Sequence, residues 1–95
     1  MDEEIRYSDH LLYRLRVRRF DANLPKTIIE SSEEILIDKT TGNSVAIGQA
    51  TYAGKVRELA VAFIDKSEYI EVITIHPLKP GQKAKRISTG RWVAK

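Results

Sequence analysis

Two periodicities divide the chain. In the first third, Leu11, Leu12 and Leu15 recur at helical spacing behind Ser8, which reads as an N-cap with Asp9 in the first turn. Arg18 and Arg19 close this stretch, where the helix dipole favours positive charge. The pattern predicts a first helix over about residues 8–19. Phe20 and Asp21 lead into a second apolar stripe of Leu24, Ile28 and Ile29, with Asn23 or Leu24 as cap and Pro25 in the first turn. Ser31 and Ser32 weaken its end, and a second helix is predicted over about 23–32.

From residue 34 the period shortens to that of strands. Runs over about 34–39, 44–52, 56–64 and 69–76 are separated by Thr41-Gly42-Asn43, Ala53-Gly54-Lys55 and Asp65-Lys66-Ser67. Leu59, Val61 and Phe63 alternate cleanly, and apolar parity switches near Gly48, which predicts a bulge there. Short connections between successive strands imply antiparallel neighbours. Pro77 and Pro80-Gly81 then end the sheet and release a basic tail over 79–95. The predicted order is therefore α-α-β-β-β-β plus tail. This is an α+β fold of two layers, with both helices packed on one face of a four-stranded antiparallel meander.

Composition removes several functional classes. Ninety-five residues fit one domain, and the absence of cysteine excludes disulfides, thiolate metal sites and a cysteine nucleophile. Phosphate-loop, dinucleotide-binding, zinc-protease and serine-hydrolase motifs are absent. Scattered His10, His76 and Asp9 have no recognisable metal-ligand spacing, so neither a metal nor another cofactor is expected. The acidic opening Met1-Asp2-Glu3-Glu4 lacks an apolar signal core, and no apolar run approaches a membrane span. The expectation is a cytoplasmic protein without membrane contact.

The net charge of +3 conceals an uneven distribution. Residues 6–19 sum to +4, residues 20–78 to −4, and residues 79–95 to +6. Two basic segments thus flank an acidic middle. Brought together by folding, they would form the positive face of a polyanion binder. The first segment carries five arginines and no lysine, and the planar guanidinium fork suits phosphate. A solvated, solubilising surface is the plainer alternative.

Within helix one, His10, Arg14 and Arg18 lie at i, i+4 and i+8 and share a face. An imidazole beside two guanidinium groups suits metal-free RNA cleavage. The imidazole moves a proton while the arginines stabilise charge on phosphorus. Arg16, Arg19, Lys83, Lys85, Arg86 and Arg91 are candidate nucleic-acid contacts. His76, at the end of the last strand, either meets a phosphate or simply ends the strand. Trp92 reads as a core cap that pins the tail.

The run Tyr7-Ser8-Asp9-His10-Leu11-Leu12-Tyr13-Arg14-Leu15, with Arg18, resembles the S-x-H-A-x-x-R-[LM]-x-x-R opening of a small prokaryotic family. That family is related to the RelE/ParE and BrnT toxins. Val72-Ile73-Thr74-Ile75-His76-Pro77 is similar to its closing strand, with His76 replacing an aromatic residue, and Leu11 stands where the family has Ala. The resemblance spans about residues 5–78. It implies a RelE-like fold and a toxin-family protein that binds RNA as a metal-independent endoribonuclease, neutralised by a small antitoxin. His10, Arg14 and Arg18 occupy the matching motif positions. The alternatives are a non-catalytic nucleic-acid- or partner-binding module, and a homodimer formed through an exposed sheet edge.

Overall fold

The Ser8 hydroxyl accepts a hydrogen bond from the Leu11 N–H at 3.1 Å and caps a helix, α1, over Asp9–Arg18. Arg19 ends it in the left-handed region (φ 57°), its N–H donating to the Leu15 carbonyl. A second helix, α2, spans Leu24–Ser31 with Pro25 in its first turn. Asn23 makes no side-chain cap bond there; instead, Asp21 Oδ1 accepts from the Asn23 N–H at 2.7 Å. The computed structural model describes residues 4–32 and 34–95, so the acidic opening at residues 1–3 lies outside it.

Among the described residues the sheet has six strands rather than the expected four. They are β1 (Glu4–Tyr7), β2 (Ile35–Asp38), β3 (Ser44–Tyr52), β4 (Lys55–Asp65), β5 (Tyr69–Pro77) and β6 (Trp92–Ala94), in the spatial order β1-β5-β4-β3-β2-β6. The central meander is antiparallel, but β1 pairs parallel to β5, which makes the sheet mixed. The expected basic tail is also structured. A third helix, α3, covers Gln82–Ser88 before β6 completes the far edge.

These additions overturn the RelE-like two-helix meander, and each eluded sequence reading for a physical reason. The four residues of β1 are too few to establish a period. The seven residues of α3 bury no side chain, so they show no apolar stripe. The three residues of β6 become a strand only because β2 offers an edge, with Trp92 opposite Asp38 and Ala94 opposite Leu36.

The parity switch read at Gly48 lies elsewhere. β3 and β4 pair without interruption, Gly48 standing opposite Leu59. A Cβ at Gly48 would meet Cγ1 and Cγ2 of Ile28 at 3.0 Å, so the glycine is what lets α2 lie close on β3. The register shift occurs in β5 instead, between the Ala62↔Thr74 and Phe63↔Val72 pairs. Ile70 and Val72 enter the core before the shift and Ile75 after it. His76 is consequently turned to the opposite face, across from Ala60.

Two apolar clusters sandwich the sheet. Leu11, Leu15, Phe20 and Ile28 from the α1–α2 segment pack on Ala46, Leu59, Val61, Phe63, Ile70, Val72 and Ile75. On the other side, Leu36, Val45, Ile47 and Ala60 are covered by Leu78 and Trp92. The Arg86 guanidinium sits over the Trp92 ring, 5.1 Å from its centroid, so α3 lies over this second face. The architecture is three-layered, with helices on both sides of the sheet. The expected two layers with helices on one face are thereby corrected.

The β3–β4 hairpin turns through Ala53 (φ 55°) and Gly54 (φ 79°) alone. Two consecutive positive φ angles define the tight turn whose twist matches the flanking strands. Among the described residues, no helix is long and apolar enough to cross a membrane.

Candidate nucleic-acid interface

His76 lies on β5 within electrostatic reach of both basic segments. β1 pairs with β5 only along Tyr69–Val72. Beyond that point, the Ser8 N–H donates to the Val72 carbonyl (3.0 Å) and its hydroxyl to the Ile73 carbonyl (3.2 Å). These two bonds start α1 at the β5 bulge and lead the helix past the second half of β5. Arg14 and Arg18 come with it. From the other side, the Leu78–Arg91 segment brings Arg86 and Arg91 across the second face.

The half-buried His76 imidazole registers this arrangement. Burial first, and then the positive charges of Arg86, Arg14, Arg18 and Arg91, hold its pKa below the usual 6.5. Both causes oppose protonation, so the neutral ring is favoured at neutral pH. Charges from helix one and from the C-terminal segment thus both reach this imidazole, while the two pairs of arginines line separate cavities.

Arg91 and Trp92 are held by a buried carboxylate. Asp38 is 5% exposed. It accepts from Arg91 Nε (3.2 and 3.3 Å) and Nη2 (3.1 Å), and from Trp92 Nε1 (3.3 Å). The backbone N–H groups of Thr40 and Thr41 also donate to it, at 2.9 and 3.3 Å. Desolvation raises the Asp38 pKa, but the Arg91, Thr40, Trp92 and Thr41 donors together outweigh it and hold the carboxyl below its ordinary 3.8. The network fixes Arg91 at the end of β6 and Trp92 beneath Arg86, so α3 and β6 are tied to the sheet by one anion.

Beside these groups, α3 and its entry turn enclose a cavity of about 510 Å³. Lys79, Lys85, Arg86 and Arg91 line it together with Gln82 and Thr89, and among the described residues no carboxylate contributes to its wall. With Arg91 paired to Asp38, Lys79, Lys85 and Arg86 leave this concave surface positively charged.

The other candidates are more dispersed. His10 is exposed, in the first turn of α1, and shares a small cavity with Arg14 and Arg18 rather than standing among all four arginines. Arg16 lies two residues from Arg14, hence on the opposite flank of the helix. Arg19 is the exposed C-cap of α1. Lys83 is engaged by Glu34, Nζ to Oε1 at 2.6 Å. Lys85, Arg86 and Arg91 come together in the α3 cavity.

Sequence reasoning passed over His76 as the central group. The available signal was the sign of the charge on both flanks. What it lacked was the β5 bulge that decides which face the ring takes.

No protein-family model, curated protein or solved structure matches the chain.

Proposed function

We propose that the chain binds RNA on the His76 face and cleaves it without a metal ion, as a protein of the RelE/BrnT toxin kind. The observation that carries this reading is the half-buried His76 on β5, whose pKa is lowered by burial and by the charges of Arg86, Arg14, Arg18 and Arg91 from both basic segments. The family-like opening at residues 7–18 points in the same direction. Phosphate oxygens occupy the guanidinium cluster and the α3 cavity, where arginine supplies the positive charge that a metal ion supplies in other nucleases.

His76 takes the role that the helix-one pattern assigned to His10. Its neutral ring accepts the proton of a ribose 2′-hydroxyl, and the 2′-oxygen attacks the adjacent phosphorus. Arg14, Arg18 and Arg86 stabilise the charge that builds on the phosphoryl oxygens. The bond to the 5′-oxygen breaks, and water protonates that leaving group. The products are a 2′,3′-cyclic phosphate and a 5′-hydroxyl end. Arg91, held by Asp38, anchors the neighbouring backbone.

The test is cleavage of end-labelled RNA in EDTA by the purified chain, alongside expression in a bacterial host with growth and transcript integrity followed. We expect cyclic-phosphate ends, and a loss of rate of at least about 100-fold in His76→Ala. Intact RNA with tight, salt-sensitive binding would replace this reading with the non-catalytic module, because counterion release dominates such contacts. Cleavage undiminished in His76→Ala would remove His76 from the chemistry.

A further inference from the structure

The outer surface of α1 carries a feature that phosphate binding leaves unexplained. Tyr13 and Val17 are each 58% exposed, one helical turn apart, on a chain whose other large apolar side chains are mostly covered. They are not isolated on open surface. With His10, Arg14 and Arg18 they line a cavity of about 160 Å³. Arg14 and Arg18, whose charges reach His76, thus also line a pocket with a phenol ring, an imidazole and an isopropyl group.

We infer that this α1 cavity is a nucleobase subsite, and that the ligand of the His76 face is read as a whole nucleotide rather than as backbone alone. The inference rests on the RNA-binding reading above and extends it. Tyr13 presents a π-face on which a base can stack, and Val17 supplies apolar contact. Arg14 and Arg18 attract the phosphate of the same nucleotide and offer cation–π contact to the base. All five lining residues lie on α1, so the cavity is a groove on one helix face. Its two guanidinium groups, with no acidic wall residue among the described residues, match an anionic ligand that carries an aromatic group. Arg14 Nε is enclosed and has no hydrogen-bond partner among the described residues.

The experiment compares binding of two labelled oligomers of equal length. One is a 2′-O-methyl oligoadenylate, which the proposed chemistry cannot cleave, and the other is its abasic counterpart. We expect the native chain to bind the base-bearing oligomer about tenfold more tightly, the scale of one aromatic stack. Tyr13→Ala should erase that difference without weakening abasic binding, and Tyr13→Phe, which keeps the ring, should restore it. The exposed position of Tyr13 makes both variants compatible with the fold, and circular dichroism checks this.

Equal affinity of the native chain for the two oligomers, or a Tyr13→Ala variant that retains the preference, overturns the base subsite and leaves backbone binding standing. Failure to bind either oligomer overturns both readings together. A Tyr13→Ala effect confined to sedimentation mass overturns the subsite as well, and assigns the Tyr13–Val17 face to contact between copies of the chain.

Discussion

The face of the sheet under α1 and α2 is packed by Leu11, Leu15 and Ile28 against buried hydrocarbon from three strands, β3, β4 and β5, and its stability follows from burial. The face under α3 has a smaller apolar cluster, and beside it lie the buried Asp38, the half-buried His76 and a ring of arginines. Both faces belong to the same strands, whose alternate residues point to opposite sides. The first face needs no particular charge state. The second holds Arg91 and Trp92 through an anion and keeps His76 neutral against a positive field. A small domain can place its chemistry on one side of a sheet because the other side carries most of the core.

Substitutions and pH should separate the two faces, and the largest effect belongs to the first. Leu11 is completely buried, so Leu11→Ala should cost about 3 kcal/mol in urea unfolding, through lost transfer energy and a residual cavity. That cost should not vary with pH between 4 and 8. A strong pH dependence would show that the two faces are not independent.

Asp38→Ala comes next, at about 2 kcal/mol, since it leaves the Trp92 Nε1–H and two backbone N–H groups without their acceptor. Asp38→Asn, which keeps the shape, should lose less and should alter the acid limb. The folded Asp38 pKa lies below the unfolded value near 3.8. Its stabilisation is therefore complete above pH 3.8 and is lost as pH falls through the lower folded value. Urea unfolding of native chain and Asp38→Asn across this range checks the difference. An identical acid limb in the two would remove the carboxylate from its role in tying β6 to the sheet.

His76 should contribute a smaller change at higher pH. Its folded pKa is lowered below 6.5, so the unfolded chain binds the proton more readily. Stability is fully present above 6.5 and declines as pH falls through the folded value. His76→Gln should flatten that part of the curve, read as Tm against pH. A slope that persists unchanged in the variant would place its source elsewhere.

The smallest effect is expected at the Lys83–Glu34 pair. Its side chains remain 29% and 49% exposed, and Lys83→Ala should cost less than about 0.5 kcal/mol in the same unfolding assay. A cost near that of Asp38→Ala would mean that α3 is held to the second face as much by its surface as by the buried network.

The sequence by itself carried the parts of this protein that depend on neighbours in the chain. Ser8 caps α1 because its hydroxyl reaches an N–H three residues on, and the leucine spacing places Leu11 and Leu15 on one buried side. The turn at Ala53-Gly54 and the alternation of Leu59, Val61 and Phe63 are likewise local. Charge segregation was also legible, because it requires only counting along the chain.

Tertiary structure decided what depends on partners distant in sequence. β1 and β6 are strands only because β5 and β2 present edges to them. The closeness of Ile28 explains Gly48, and that contact joins segments 20 residues apart. The role of His76 turns on a single register shift in β5. One extra residue there sends Ile75 into the core and the imidazole out among arginines from both ends of the chain. Periodicity in sequence reports which residues alternate, but only pairing with β4 determines where the alternation reverses.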